Sequence, residues 1–97
     1  MARFDVFELS GQRLVVDIQS DHLLRIETRL VIPLLPDRVP SRPPRLNPIF
    51  EIDNVPYVLM PTLIAAVPTR NLNRKIASLK RERDAIADAI DMVLYGF

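Results

Sequence analysis

Apolar residues in the first sixty positions fall into short runs and alternations that are typical of β-strands. One strand is predicted over residues 4–9 and a second over residues 13–19, with Ser10-Gly11-Gln12 as the turn between them. One face of the second strand is apolar and consists of Leu14, Val16 and Ile18. The pattern therefore predicts an N-terminal hairpin with one buried face.

Two further segments continue this pattern. Residues 30–34 are almost entirely apolar, as expected for a strand that is covered on both faces. Pro33 lies within this run and is predicted at an edge or a bulge, because proline cannot donate a hydrogen bond to a neighbouring strand. Residues 49–52 and 57–60 predict a second hairpin around the turn residues Asp53 and Asn54.

The stretch between these elements, residues 35–48, contains five prolines and three interleaved arginines. So many prolines exclude a helix or a central strand and predict a stiff surface loop. The arginines of this loop are either solvated or meet the carboxylates or phosphates of a partner, and solvation is favoured because surface charge usually faces water. They are Arg38, Arg42 and Arg45.

Near the C-terminus, apolar positions recur alternately four and three residues apart from Leu72 to Phe97, with Arg83 as the one polar interruption. This spacing predicts an amphipathic helix. Its start is left open, because three residues could serve as the N-cap, and Gly96 is its predicted end. The three N-cap residues are Asn71, Asn73 and Ser78.

The charges along this helix oppose its dipole, with basic residues near the predicted start and acidic residues near the end. The acidic stripe is either solvated on a helix held by packing, or it is a surface for a basic partner. The basic residues are Arg70, Arg74 and Lys75, and the acidic ones are Asp84, Asp88 and Asp91.

Strands followed by one terminal helix predict an α+β fold, in which residues 1–97 form a single domain. The sheet is expected to be antiparallel, a small barrel or part of one, with a long C-terminal helix packed on one face. Apolar residues make up 48% of this short chain, which suggests that some of them lie in a subunit interface.

The composition excludes several classes of binding and catalytic site. The net charge is only +1, which gives no strong whole-molecule attraction to nucleic acid or to an anionic membrane. The absence of Cys and the single His exclude disulfides and sites built from thiolates or several imidazoles, so no metal or cofactor is expected. Without a signal peptide or an apolar segment of about 20 residues, we expect a cytoplasmic protein that does not enter membranes.

The sequence contains few residues arranged for catalysis. His22 lies near Asp17, Ser20 and Asp21, but side chains along a strand end point in different directions, which argues against a Ser-His-Asp set. The terminal Tyr95-Gly96-Phe97 is more informative. Either Phe97 folds back onto the core, which the periodicity favours, or the tail is exposed and Tyr95 stacks on an arginine of a partner.

Four segments of the chain resemble the CcdB family, the plasmid-type toxins of toxin–antitoxin pairs. They are Asp17-Ile18-Gln19-Ser20-Asp21, Val31-Ile32-Pro33-Leu34, Ala66-Val67-Pro68 and the ending from Ala89-Ile90-Asp91 to Tyr95-Gly96-Phe97. The resemblance implies a homodimer of SH3-like barrels and a function without catalysis. Such toxins bind the A subunit of DNA gyrase and trap the enzyme with its DNA cleaved, without sequence-specific nucleic-acid binding of their own. A small CcdA-like antitoxin with a disordered tail neutralises them.

The resemblance also implies which residues contact gyrase: Tyr95, Gly96, Phe97, Asp91, His22 and Leu23. Three of them depart from the family pattern, since Tyr95 stands for a tryptophan, Asp91 for an amide and His22 for an aliphatic residue. Charge alone, without a family motif, assigns the arginines of the proline-rich loop to antitoxin binding.

Two alternatives remain open at this point. An endoribonuclease toxin on the same fold would need an arginine and a hydroxyl group in one groove, for example Arg29 with Thr28 or Ser20. A non-toxic remnant would bind an antitoxin-like partner and nothing else, and the departures at His22 and Asp91 are the reason to keep this alternative.

Overall fold

The computed structural model describes residues 2–23, 26–36 and 43–96. The chain forms an α+β fold in which one curled antiparallel sheet is followed by a C-terminal helix. The strands are β1 (Asp5–Glu8), β2 (Leu14–Asp17), β3 (Thr28–Pro36), β4 (Ile49–Ile52), β5 (Val55–Leu59), β6 (Ala65–Pro68) and β7 (Arg74–Ser78), and the helix is α1 (Arg83–Tyr95). The strand order is β4-β5-β3-β2-β1-β7, with β6 paired to β3 beside β5. The predicted fold class is confirmed.

Both predicted hairpins are present, because local turn chemistry specifies each of them. β1 pairs with β2 across a short turn in which Gly11 has a φ of 79°. β4 pairs with β5 across Asp53 and Asn54, whose φ values of 51° and 65° are both left-handed. Two consecutive left-handed residues suit the right-handed twist of a hairpin, and Asp and Asn tolerate that conformation better than most residues.

Pro33 lies in a central strand, not at an edge. On one side β3 pairs with β2, while on the other it pairs with β6 at residues 28–31 and with β5 at residues 34–36. The Pro33 carbonyl accepts a hydrogen bond from the Met60 amide at 3.0 Å, so its backbone nitrogen faces the same side, where the neighbouring strand changes. The missing N–H therefore lies between the residues of β3 that pair with β6 and those that pair with β5, which explains how a central strand accommodates proline.

The main core lies between the concave face of the sheet and α1. Its completely buried members are Val6, Val16, Ile32, Leu59, Ile86 and Ala89. A smaller cluster covers the opposite face of the central strands and contains Phe7, Val15, Val31 and Leu72. The central strands are therefore buried on both faces, as the apolar run at residues 30–34 predicts.

The helix begins later than the four-and-three spacing predicts. Residues 74–78 form β7, which pairs with β1, and the Leu79 amide donates to the Phe4 carbonyl at 2.8 Å. A single turn of 3₁₀ helix, Lys80–Glu82, then leads into α1. The interpretation of Leu72, Ile76 and Leu79 as helical positions is therefore wrong, because pairing with a distant strand overrides a local periodicity.

The ends of these elements partly match the prediction. Gly96 ends α1 in the left-handed conformation, with its N–H bonded to the Met92 carbonyl at 2.9 Å, as predicted. None of the three predicted N-cap residues caps α1, whose N-cap position is Glu82. Ser78 precedes the N-cap of the 3₁₀ turn, Leu79, and its Oγ accepts the Lys80 N–H at 3.3 Å. Asp84 lies in the first turn of α1, where a carboxylate is favourable. Arg70, Arg74 and Lys75 lie outside α1, but Arg83 begins the helix and Lys80 and Arg81 precede it, so basic charge still lies at the helix start.

None of the helices in the described residues combines the length and the apolar character that crossing a bilayer requires.

Candidate functional site

The last turn of α1 exposes apolar surface. Leu94 and Tyr95 are 64% and 65% exposed, and Val93 is 37% exposed. Asp91 is exposed one helical turn before Tyr95 on the same side of the helix, and Gly96 is exposed beyond it. Phe97 lies outside the described residues. The structure thus brings Asp91, Tyr95 and Gly96 together at one end of the helix, and exposed apolar groups gathered in this way are typical of binding surfaces.

His22 and Leu23 lie together on a different element, the 3₁₀ turn Asp21–Leu23, which we call the His22 turn. Both side chains are exposed. Ser20 organises the turn, because its hydroxyl accepts the His22 backbone N–H at 3.2 Å and its carbonyl accepts the Leu23 N–H at 3.0 Å. The helix packs on the 3₁₀ turn Pro61–Leu63, and no comparably extensive packing joins it to the His22 turn within the described residues. The predicted gyrase-contacting residues therefore lie on two separate elements.

Gln19 ties the His22 turn to the sheet. Its side-chain oxygen accepts the Leu30 N–H and its side-chain nitrogen donates to the Leu23 carbonyl, both at 3.0 Å. On the outer side, Asp21 accepts the Arg3 backbone N–H at 2.8 Å. The segment Asp17-Ile18-Gln19-Ser20-Asp21 thus acts as a hydrogen-bonded support for the turn that follows it.

A buried ion pair underlies this support. An Asp17 carboxylate oxygen lies 2.7 Å from Arg29 Nη2 and 2.9 Å from Arg29 Nε, and the two side chains are 0% and 1% exposed. Asp17 also accepts the Gln19 N–H at 3.0 Å, and Arg29 donates to the Gln19 carbonyl at 3.3 Å. Burial raises the pKa of Asp17, although its hydrogen bonds with Arg29 and Gln19 oppose this effect.

The local sequence around Arg29 does not reveal this role. An arginine between Thr28 and Leu30 resembles a surface residue, and the only available signal is that Asp17 lies on a predicted neighbouring strand. Burial also removes Arg29 from the set of groups considered for RNA cleavage, since a guanidinium that is 1% exposed cannot reach a substrate phosphate. The proposed pairing of Arg29 with Thr28 or Ser20 in an open groove is therefore wrong.

Arg45 is held by the helix of its own chain. Its Nε and Nη2 donate to the two carboxylate oxygens of Asp88 at 2.8 and 3.0 Å, a bidentate pair between half-exposed side chains. The pair lowers the pKa of Asp88 and raises that of Arg45, and the charge of Asp91 adds to the second effect. Arg45 would have to release Asp88 before it could bind a carboxylate of a partner. Arg38 and Arg42 lie outside the described residues.

The ion pair between Arg45 and Asp88 should be visible in the titration of Asp88. The variant Arg45→Gln should return the pKa of Asp88 toward its ordinary value, because the main cause of its depression is the hydrogen-bonded guanidinium. Since the folded-state pKa is below the unfolded one, the wild-type pair contributes stability above the ordinary pKa of aspartate and loses it as the pH falls through the lowered value. Carboxyl-detected NMR titration of both proteins measures the shift. The control is Lys80→Gln, and an unchanged Asp88 titration in Arg45→Gln would contradict the assignment.

A comparison with known families identifies the chain. The family model described as "CcdB protein" matches residues 3–96, nearly the whole chain. The chain belongs to the CcdB family. It is therefore a toxin of the toxin–antitoxin class, in agreement with the segments that carry the sequence resemblance.

The CcdB fold of this chain is shared with another toxin. A solved structure described as "Mycobacterium tuberculosis toxin MazF-mt6" superimposes with a TM-score of 0.74, covers 93% of each chain and is 19% identical in sequence. At this identity the likeness shows the fold alone.

The structure also gives a context for one departure from the CcdB pattern. Asp91 carries a negative charge where the family resemblance expects an amide, and Arg45 is close enough for Asp91 to raise the pKa of its guanidinium. The added charge is therefore partly balanced within the chain. His22, the other polar departure, lies on the outside of its turn, where an imidazole is hydrated without cost to the core.

The support of the His22 turn by Gln19 can be tested directly. The variant Gln19→Ala removes two hydrogen bonds that hold the His22 turn, so we expect a loss of about 1–3 kcal/mol in unfolding free energy. Amide hydrogen exchange should also accelerate at Leu30 and in the His22 turn. Exchange measured by NMR and urea unfolding check both effects. Gln12→Ala, at an exposed turn residue, is the control, and equal effects of the two variants would refute the supporting role of Gln19.

Proposed function

We propose that this protein is a gyrase-poisoning toxin of a plasmid-maintenance type toxin–antitoxin module. It acts as a homodimer that binds the A subunit of DNA gyrase and holds the enzyme with its DNA cleaved. The observation that carries the proposal is the exposed apolar surface of the last helical turn, with Tyr95 beside Asp91 and before Gly96. These residues, together with Phe97, His22 and Leu23, are the proposed gyrase contacts.

The physical basis is binding, without bond cleavage by the toxin. An exposed tyrosine ring that stacks on an arginine of gyrase contributes about 0.5–2 kcal/mol, depending on how far the pair is desolvated. The carboxylate of Asp91 lies one turn away and can pair with a second cation. A two-fold toxin presents this surface twice to a two-fold target, which raises the overall affinity without new contacts.

Exposed apolar residues beside β6 support the homodimer. Leu30 pairs with Ala66 across β3 and β6, so the two side chains share one face of the sheet, and both are exposed. Leu63 and Ile64 lie just before β6 and are 51% and 38% exposed. A second copy of the chain would cover this surface, as the apolar composition suggests.

A cognate CcdA-like antitoxin is proposed as the second partner, and the cytoplasm, where gyrase and DNA are found, as the site of action. The ribonuclease alternative shares the fold, but Arg29, the arginine named as an example for it, is buried and cannot reach a substrate phosphate. We therefore propose gyrase poisoning ahead of RNA cleavage.

Expression in a gyrase-sensitive host, with and without a toxin-resistant gyrase A allele, tests the proposal. We expect growth arrest that only the resistant allele relieves, and gyrase-dependent DNA breaks in the sensitive host. Arrest in both hosts, with RNA cleaved by the purified protein, would establish the ribonuclease instead. Normal growth in both hosts would identify a non-toxic remnant.

A further inference from the structure

The curled sheet leaves a groove between its two end strands. β4 and β7 stand at opposite ends of the strand order, and each has one edge that no strand in the described part of the chain pairs. Between them lies a groove of about 260 Å³, which we call the seam groove. Of its apolar lining residues, Ile49 is 54% exposed, whereas Phe50 and Leu79 are each only 6% exposed. An unpaired backbone edge with an exposed apolar side chain beside it can accept one more strand.

A second concavity of about 340 Å³ adjoins the seam groove and shares Ser78 and Arg81 with it. Its other lining residues are Lys80 and Arg83, so every charged group that lines it is a cation. Among the described residues, none of these three cations forms an ion pair, in contrast to Arg45. We call this the cationic end of the groove.

Two carboxylates, those of Glu51 and Glu82, line the seam groove itself. The two ends of the combined surface therefore differ: the part between the strands has the exposed Ile49 beside two carboxylates, and only the far end has cations as its sole charged groups. An occupant that matches both parts must carry its acidic groups at one end and apolar side chains along the rest.

The cations are carried by a turn with fixed geometry. The Ser78 hydroxyl accepts the Lys80 N–H at 3.3 Å, and the Glu82 N–H donates to the Leu79 carbonyl at 2.8 Å. The turn continues directly into α1. A backbone that is already ordered before binding reduces the entropy cost of engaging a partner.

We infer that the seam groove and its cationic end bind an extended, acidic segment of a partner protein. The segment pairs its backbone with the free edge of β4 or β7, places alternate apolar side chains against Ile49, and brings its acidic end to Lys80, Arg81 and Arg83. The inference rests on the proposed function for the source of this segment, which is the antitoxin. It assigns that contact to this groove, since Arg45 of the proline-rich loop is already paired with Asp88.

The chemistry favours a peptide over a nucleic acid. A phosphate backbone would use the cations but would leave the two strand edges and the exposed Ile49 without partners. Single-stranded nucleic acid is usually bound by stacking aromatic side chains, and Phe50, the one aromatic residue that lines the groove, is 6% exposed. The peptide uses all three features at once.

The test uses a fluorescent synthetic peptide of about six to eight residues, in which valine and threonine alternate and the C-terminal end carries three glutamates. Titration into the isotope-labelled full-length protein should shift the amide resonances of β4, β7 and residues 80–83 in the NMR spectrum. Perturbation confined to other surfaces would overturn the inference. So would equal binding by a single-stranded oligonucleotide of matched charge, because the surface would then respond to charge alone.

A matched pair of variants tests the cations. The double variant Lys80→Ser/Arg81→Ser should weaken peptide binding by roughly threefold to thirtyfold, since two exposed charge contacts are lost. Arg13→Ser/Arg70→Ser removes the same charge from exposed positions outside the cationic end and should leave the affinity within about twofold. Equal losses in the two variants would overturn the inference. Gyrase takes no part in this experiment, so its outcome is independent of whether the toxin acts on gyrase.

Discussion

Deletion of Gly96 and Phe97 is expected to abolish growth arrest while leaving the fold intact. The proposed gyrase surface loses its terminal residues, and truncation of a central contact residue in an interface commonly costs 2 kcal/mol or more, which is at least about 30-fold in affinity. The fold loses the hydrogen bond from the Gly96 N–H to the Met92 carbonyl at 2.9 Å, worth about 0.5–1.5 kcal/mol.

Three measurements check this expectation: growth of the expressing host, affinity of the purified variant for gyrase A, and thermal unfolding. Arg70→Ala is the control, because Arg70 is exposed on the 3₁₀ turn Thr69–Asn71, outside α1 and outside the proposed gyrase contacts. We expect the control to remain toxic. If the deletion stays toxic and still binds gyrase, the assignment of the tail is wrong.

Removal of one partner from the buried Asp17–Arg29 pair is expected to give the largest loss of stability. Arg29→Met leaves a carboxylate without its cation in a fully buried position, which typically costs about 3–5 kcal/mol. That is a large share of the roughly 5–15 kcal/mol by which a domain is stable. Burial already raises the pKa of Asp17, so in the variant this carboxyl should take up a proton more readily still.

A double-mutant cycle measured by urea unfolding gives the coupling free energy between Asp17 and Arg29. Asp17→Leu/Arg29→Met should be more stable than either single variant, because no unpaired charge remains in the core. The exposed pair of Glu8 and Arg74, with 3.7 Å between charged atoms, is the control, and Glu8→Ala there should cost less than about 1 kcal/mol. Additive effects of the two buried substitutions would show that the pair is not energetically coupled.

The hairpins could be predicted from the sequence because each depends on a few neighbouring residues. Asp53 and Asn54 specify their turn through their own tolerance of left-handed backbone, and Gly96 specifies the helix end in the same way. The start of the helix could not be predicted, because β7 exists only through its pairing with β1 some seventy residues earlier. A local spacing that fits a helix carries no information about such a partner.

In the candidate site, too, some features could be predicted from the sequence and others could not. Exposure of Asp91, Tyr95 and His22 agrees with the surface position that the family resemblance implies for them. The supporting groups were not predicted, since Asp17 meets Arg29 across two strands and Arg45 meets Asp88 across 43 positions of sequence. Both pairs join residues that only the tertiary fold brings together.

The unpaired strand edges also bear on how the protein avoids polymerising. An exposed edge is a template for other chains, and natural sheets guard such edges with charge or with proline. β7 carries Arg74 and Lys75, and β4 carries Glu51, whereas β6 has only Pro68 at its far end. In the proposed homodimer the second copy covers the surface beside β6, so self-association through this weakly guarded edge would stop at the dimer, and a lysine in place of Ala66 would oppose it.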